Sequence, residues 1–151
     1  MTNKAKLVVL LAEDSKHDIL ATERAWKMHN IANPLHVVRD GEECLDYLYR
    51  RGKYSDADSA PRPGLLLLDL KMPRMDGLTV LKHIREDESL KRLPVTVLTT
   101  SDQDEDRLRS YELKANAFIR KPVGFENFAA AVKAINMFWE LVDPPYGEDG
   151  R

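Results

Sequence analysis

Several polar side chains of this sequence come directly after an apolar run, at the point where a buried strand would end. Three of them are carboxylates, two are hydroxyls and one is an ammonium group. In chain order they are Glu13, Asp14, Asp69, Thr99, Thr100 and Lys121. Taken singly, each has an ordinary structural interpretation, such as a turn acid, a helix cap or a strand-end residue. Any shared chemistry therefore depends on whether the fold brings them together.

The apolar runs alternate with segments of helical periodicity. The sequence predicts strands at 6–12, 35–39, 64–69, 93–99 and 116–120. It predicts helices at 16–29, 42–50, 78–87, 103–112 and 125–142. Five strands that are each followed by a helix indicate right-handed crossovers and a doubly wound parallel α/β sheet, of the flavodoxin-like type, with helices on both faces. A long polar loop is expected at 50–64.

Composition limits the class of protein. The 151 residues, 43% of them hydrophobic, fit one domain at 1–142 followed by a flexible tail at 143–151. With 23 basic and 25 acidic residues the net charge is -2, so no general affinity for nucleic acid or anionic membranes is expected. The single Cys44, in a predicted helix, is interpreted as a core residue. No signal peptide or membrane-length apolar run is evident, so we expect a cytoplasmic protein.

The carboxyl ends of parallel strands meet at one edge of a sheet, where ligands bind. Three carboxylates gathered there would repel one another by roughly 4 kcal/mol per pair at 4 Å and an effective dielectric of 20. Such a cluster calls for a cation, and Mg²⁺ suits it because this ion takes one or two carboxylates and a phosphate oxygen. Calcium is disfavoured because the sequence has no EF-hand spacing.

An aspartate surrounded by a metal, a lysine and a hydroxyl has the parts that phosphoryl transfer requires. The carboxylate of Asp69 would attack phosphorus in line, and the cations would balance the charge on the equatorial oxygens. A hydroxyl donor would contact the newly attached group. The product would be an aspartyl phosphate.

The motifs resemble those of a known family, the receiver domains of two-component response regulators, over about 6–142. The resemblance rests on the acidic pair at 13–14, on Leu-Leu-Asp-Leu-Lys-Met-Pro-Arg-Met-Asp-Gly at 67–77, on Leu-Thr-Thr-Ser at 98–101 and on Lys-Pro at 121–122. It implies that Asp69 accepts phosphate from a histidine kinase. It also implies a Mg²⁺ site in which Asp14 binds directly, Glu13 binds through water and Lys71 contributes its backbone carbonyl.

The same resemblance implies a switch. Lys121 would pair with the phosphoryl group, and Thr99 would be the switch hydroxyl, although the neighbouring Thr100 is an alternative. Phe118 would pack inward when Thr99 moves, or it is a plain core residue of its strand. The face built from the fourth helix, fifth strand and fifth helix would then change its contacts.

A subgroup is also indicated. The segments at 40–48, 110–122 and 138–142 look like those of single-domain regulators that accompany phytochrome-type histidine kinases. Output would pass through protein contacts, without nucleic acid or membrane. The predicted helix at 125–142 carries two apolar stripes, which favours a homodimer over deep packing within its own domain.

Other functions on the same fold are weaker. A flavin or nucleotide domain would be expected to carry a glycine-rich phosphate loop, and the sequence has none. A phosphatase would ordinarily have a second acid two residues after the nucleophile, where this chain has Lys71. A degenerate receiver that acts only as an interaction module is the main alternative. The protein is not expected to be an enzyme beyond catalysing its own phosphorylation and dephosphorylation.

Overall fold

The computed structural model describes residues 7–99, 115 and 117–120. Five strands form one parallel sheet in the order β2-β1-β3-β4-β5. The strands are β1 (Val8–Ala12), β2 (Leu35–Val38), β3 (Pro63–Asp69), β4 (Val95–Thr99) and β5 (Ala117–Arg120). The strand order reverses direction beside β1, as in a doubly wound sheet, and the predicted fold class is confirmed.

Strand β3 lies at the centre of the sheet. All seven of its residues are buried, as expected for a leucine run that is covered on both faces. The strand begins at Pro63, one residue before the predicted start. Proline is tolerated at the first residue of a strand because its missing N–H leaves no inner ladder position empty.

Three helices occur in the described part of the chain: α1 (Lys16–Met28), α2 (Gly41–Tyr49) and α3 (Gly77–Glu86). Each starts where a side-chain oxygen accepts a hydrogen bond from the N–H three residues later. The capping residues are Ser15, Asp40 and Asp76. None of these helices is long and apolar enough to cross a membrane. The predicted helices at 103–112 and 125–142 lie outside the described residues, as does the tail at 143–151.

The helices cover both faces of the sheet. Helix α1 packs Ile19 and Trp26 on one face, against alternate residues of the central strands: Val9, Leu11, Leu65 and Leu67. Helices α2 and α3 pack on the opposite face, against the intervening residues: Leu10, Ala12, Leu66 and Leu68. This alternation follows from the two-residue period of a strand. The core therefore has two layers that share one sheet.

The segment between α2 and β3 is more ordered than the long polar loop predicted for 50–64. It contains two 3₁₀ turns, Gly52–Tyr54 and Ala57–Ser59, and Ala60 is buried. The Tyr47 hydroxyl donates to the Pro61 carbonyl at 2.7 Å. Polar composition indicated a loop, but it could not reveal that α2 side chains anchor the loop backbone.

Cys44 has the structural role that the sequence predicts. It is fully buried within the layer formed by α2 and α3. Burial raises the pKa of the Cys44 thiol far above its ordinary value, so the reactive thiolate is disfavoured.

Candidate functional site

The parallel register brings the acidic residues of β1 and β3 together. Ala12 pairs with Leu68, so the next residues along each strand, Glu13 and Asp69, leave the sheet side by side. Carboxylate oxygens of Glu13, Asp14 and Asp69 all lie within 4.8 Å of one another. Residues distant in sequence therefore form one acidic cluster at the carboxyl edge of the sheet, as predicted.

The acidic cluster is partly removed from water. Glu13 is 1% exposed and Asp69 is 6% exposed, whereas Asp14 is exposed. Each pair of charges at about 4 Å costs roughly 4 kcal/mol at an effective dielectric of 20, and burial reduces the screening by solvent. A hard cation that binds oxygen ligands would offset this repulsion. The all-carboxylate donor set at this edge fits a divalent metal ion.

Backbone contacts fix the position of Glu13. Its N–H donates to the Val38 carbonyl at 3.0 Å, which extends the pairing of β1 with β2 by one residue. Its Oε1 atom accepts a hydrogen bond from the Ser15 N–H at 3.1 Å. Ser15 in turn caps α1, so the buried carboxylate is tied to the start of that helix. The position and the contacts of Glu13 are thus determined by both neighbouring elements.

Asp69 is held at the end of β3 by the turn that follows it. Its Oδ1 atom accepts a hydrogen bond from the Lys71 N–H at 3.1 Å. The N–H of Leu70 donates to Leu98 of β4 at 3.3 Å, and the Leu70 carbonyl accepts from the Gly77 N–H at 3.0 Å. The turn at 70–77 is therefore closed at its base, next to the Asp69 carboxylate.

Asp76 has a structural role. Its Oδ1 atom accepts from the Thr79 N–H at 2.9 Å and caps α3. The Asp-Gly pair at 76–77 is thus the start of a helix.

Two glycines near the site were not singled out from the sequence. A Cβ atom at Gly77 would collide with the Asp69 carbonyl, and one at Gly41 would collide with the Met75 carbonyl. Both glycines lie in Asp-Gly pairs at helix starts, and that pattern was the available signal. The close backbone approach becomes visible only in three dimensions.

The remaining predicted residues lie on β4, on β5 or beyond them. Thr99 ends β4, where its backbone pairs with Arg120, and Phe118 pairs with Val97. The backbone of Thr99 is thus one residue beyond Leu98, the partner of Asp69 in the register. The side chains of Thr99 and Phe118 are not described. Lys121 and the alternative switch residue Thr100 lie outside the described residues.

Known proteins are similar to this chain in sequence. The family model of the response regulator receiver domain matches residues 9–133. The response regulator Rcp1 of Synechocystis sp. is 39% identical over 132 residues, which cover 87% of this chain and 88% of Rcp1.

Solved structures agree with the sequence match. The phosphorylated cyanobacterial phytochrome response regulator RcpA is 38% identical, with a TM-score of 0.82 over 94% of this chain and 100% of RcpA. The Mn²⁺-bound form of Rcp1 is 39% identical, with a TM-score of 0.79 over 93% of this chain and 99% of Rcp1. The similarity covers the described sheet and helices together with most of the remaining chain.

Proposed function

This chain belongs to the response regulator receiver domain family of two-component signal transduction, and on that premise we propose that Asp69 is its phosphoacceptor. The observation that carries the proposal is the position of Asp69. It ends a central strand, 6% exposed, with two further carboxylates beside it. A nucleophile needs such a fixed position close to the groups that stabilise the transferred phosphoryl.

The metal assigned to the site is Mg²⁺, held by Asp14 and Asp69 directly, by Glu13 through water and by the backbone carbonyl of Lys71. The acidic cluster supports this assignment. The preference of Mg²⁺ for few carboxylates and retained waters supports it further, and Mn²⁺ is present in the related Rcp1 structure. When bound, the ion neutralises charge on the phosphoryl oxygens.

Phosphoryl transfer then runs between two side chains. An Asp69 oxygen attacks the phosphorus of a phosphohistidine on the kinase; the P–O bond forms as the P–N bond breaks, and the imidazole leaves and takes up a proton. Lys121 pairs with the phosphoryl oxygens and Thr99 donates its hydroxyl to them. The same groups allow the chain to catalyse its own phosphorylation from a small phosphodonor.

The modified state signals by shifting a population of conformers. Phosphorylation adds about -1.5 to -2 charges at pH 7, which draws Thr99 and Lys121 toward Asp69 and lets Phe118 pack inward. One charged hydrogen bond contributes roughly 1.5 to 3 kcal/mol, whereas moving an equilibrium from 1:99 to 99:1 takes about 5.5 kcal/mol. Several contacts must therefore act together, and the output is a changed protein-protein surface.

The proposed partner is a phytochrome-type histidine kinase in the cytoplasm. The relationship to RcpA, a phytochrome response regulator, supports this assignment.

We also propose that 1–142 is a single receiver domain with a flexible tail at 143–151. Its homodimer would use the apolar stripes of the helix predicted at 125–142. Light scattering of the wild type and of Trp139→Glu tests the dimer: half the mass in the variant supports it, and a monomeric wild type would refute it.

Intact mass spectrometry tests the phosphoacceptor chemistry. The protein is incubated with acetyl phosphate in Mg²⁺, in EDTA, and as the variant Asp69→Asn. One phosphoryl addition in the wild type with Mg²⁺, and none in the other two samples, is expected. An unmodified wild type would favour the interaction-module alternative.

A further inference from the structure

The turn after Asp69 contains a strained residue. Arg74 has a φ of 65°, and the Met75 N–H donates to the Pro73 carbonyl at 2.7 Å. A hydrogen bond from residue i+2 to residue i around a positive φ is the geometry of a γ-turn of the rare, strained form. Such a conformation persists in a non-glycine residue only when its surroundings hold it there.

The N-terminus of α2 supplies those surroundings. Gly41 lies against the Met75 carbonyl so closely that a Cβ atom would overlap it. The Arg74 guanidinium lies 3.8 Å from Asp40 Oδ2 and 3.9 Å from Glu42 Oε2. Asp40 also caps α2 through its Oδ1 atom and the Glu43 N–H at 2.8 Å, so its second oxygen faces Arg74 from a fixed position. Arg74 and Met75 thus both contact residues 40–42.

We infer that residues 40–42 at the start of α2 are a positioning element for the metal-binding turn. The base of the turn is closed by the hydrogen bond between Leu70 and Gly77, and its tip is held by residues 40–42. Between these two points lies Lys71, whose N–H contacts Asp69 and whose carbonyl is assigned to the metal. Releasing the tip lets the backbone of Lys71 move, and the metal site loses its fixed geometry. This inference rests on the proposed function, since it concerns the affinity of the same site.

As a consequence, a change at the edge of the sheet would alter metal binding at the acidic cluster. Residues 40–42 are the N-cap and the first two residues of α2, which follows edge strand β2, and they do not belong to the acidic cluster. A partner that displaces the start of α2 would weaken metal binding without touching a metal ligand. Outer contacts that orient metal ligands commonly change affinity by about ten- to a hundredfold when they are removed.

Titration calorimetry with Mg²⁺ alone tests the inference on the full chain. Gly41→Ala should bind Mg²⁺ about tenfold more weakly than the wild type. The matched control is Gly52→Ala, because Gly52 has a φ of 62° and its Cβ would meet only Asp46 Oδ2 at 3.9 Å, away from the turn. The control should lose folding stability but keep the metal affinity of the wild type within about twofold.

A second variant, Arg74→Gly, tests the inference if Gly41→Ala does not fold. Arg74→Gly removes both the strain and the charged contacts, so the turn loses its single conformation while Gly41 stays in place. Removing the positive charge of Arg74 would by itself strengthen the binding of Mg²⁺. Binding that is weaker by about threefold or more would therefore show that the turn is no longer held in position. Wild-type affinity in a folded Gly41→Ala, or in Arg74→Gly when the former is unfolded, would overturn the inference. Failure of the wild type to bind Mg²⁺ would instead refute the proposed metal site.

Discussion

A carboxylate oxygen of the buried Glu13 lies within 4.8 Å of one on Asp69, although the two residues belong to different strands. Two like charges at this distance oppose folding unless a cation lies nearby. The repulsion between the two carboxylates favours binding of a divalent cation at this edge of the sheet.

Asp69→Asn should stabilise the metal-free protein by about 1 to 2 kcal/mol. This is part of the roughly 4 kcal/mol of repulsion expected between two like charges 4 Å apart at an effective dielectric of 20. The asparagine keeps an oxygen that can accept the hydrogen bond from the Lys71 N–H, so the turn is preserved. Urea unfolding in EDTA measures the difference. A variant less stable than the wild type would show that the acidic cluster carries no net repulsion.

Mg²⁺ should stabilise the wild type by mass action, by about 2.7 kcal/mol at a hundredfold excess over the dissociation constant. Asp14→Asn should lose most of this gain because it removes a proposed direct ligand. Asp76→Asn is the matched control: it makes the same charge change, and asparagine caps a helix as well as aspartate does. Unfolding at several Mg²⁺ concentrations measures the gain, and an equal loss in both variants would contradict the assigned ligands.

Much of this arrangement follows from sequence patterns. The leucine run before Asp69 predicts a strand buried on both faces, and parallel strands place their end residues at one edge. The acidic cluster was therefore predictable from Glu13, Asp14 and Asp69 alone. The strained turn at Arg74 was not, because arginine carries no signal for a positive φ. The turn contacts Gly41 through the Met75 carbonyl, and Gly41 lies in a different element.

The ordered loop between α2 and β3 shows the same limit. Its anchors are hydrogen bonds between the loop and residues of α2 or its C-cap, across ten or more positions of the chain. The Tyr47 hydroxyl donates to the Pro61 carbonyl, the Arg50 guanidinium donates to the Ala60 carbonyl, and the Arg62 guanidinium donates to the Leu48 carbonyl. Local composition predicts a loop correctly, but it does not encode which distant donor will satisfy which carbonyl.

Tyr47→Phe should destabilise the protein by about 1 kcal/mol because the Pro61 carbonyl loses its donor. The ring of Tyr47 is 2% exposed, so its packing is retained in the variant. Urea unfolding measures the loss, while phosphorylation by acetyl phosphate should be unchanged. Unchanged stability would mean that the hydroxyl does not hold the loop.

The ion pair between Glu43 and Lys53, 2.6 Å apart, should make stability depend on pH. Burial by itself raises the pKa of Glu43, but the hydrogen bonds from Lys53 and from the Arg39 N–H outweigh it and leave the pKa below its ordinary 4.5. Because the folded-state pKa is lowered, the stabilisation is present above pH 4.5 and is lost as the pH falls through the folded value.

Lys53→Met should therefore cost about 0.5 kcal/mol at pH 7, and this cost should disappear in acid. The lysine is 69% exposed, so solvent screening keeps the effect small. Urea unfolding at both pH values measures it. Lys91→Met, which removes an exposed partner of Glu88, is the control for deleting a surface charge. An equal cost of Lys53→Met at neutral and acid pH would contradict the linkage.

Trapping the modified residue tests the central claim most directly. The protein is treated with acetyl phosphate and Mg²⁺, reduced with borohydride so that an aspartyl phosphate becomes homoserine, and digested for peptide sequencing by mass spectrometry. The account predicts homoserine at position 69 and at no other aspartate, and none when Mg²⁺ is replaced by EDTA. Homoserine at Asp14 or Asp76 in place of position 69 would contradict the assignment of Asp69 as the phosphoacceptor.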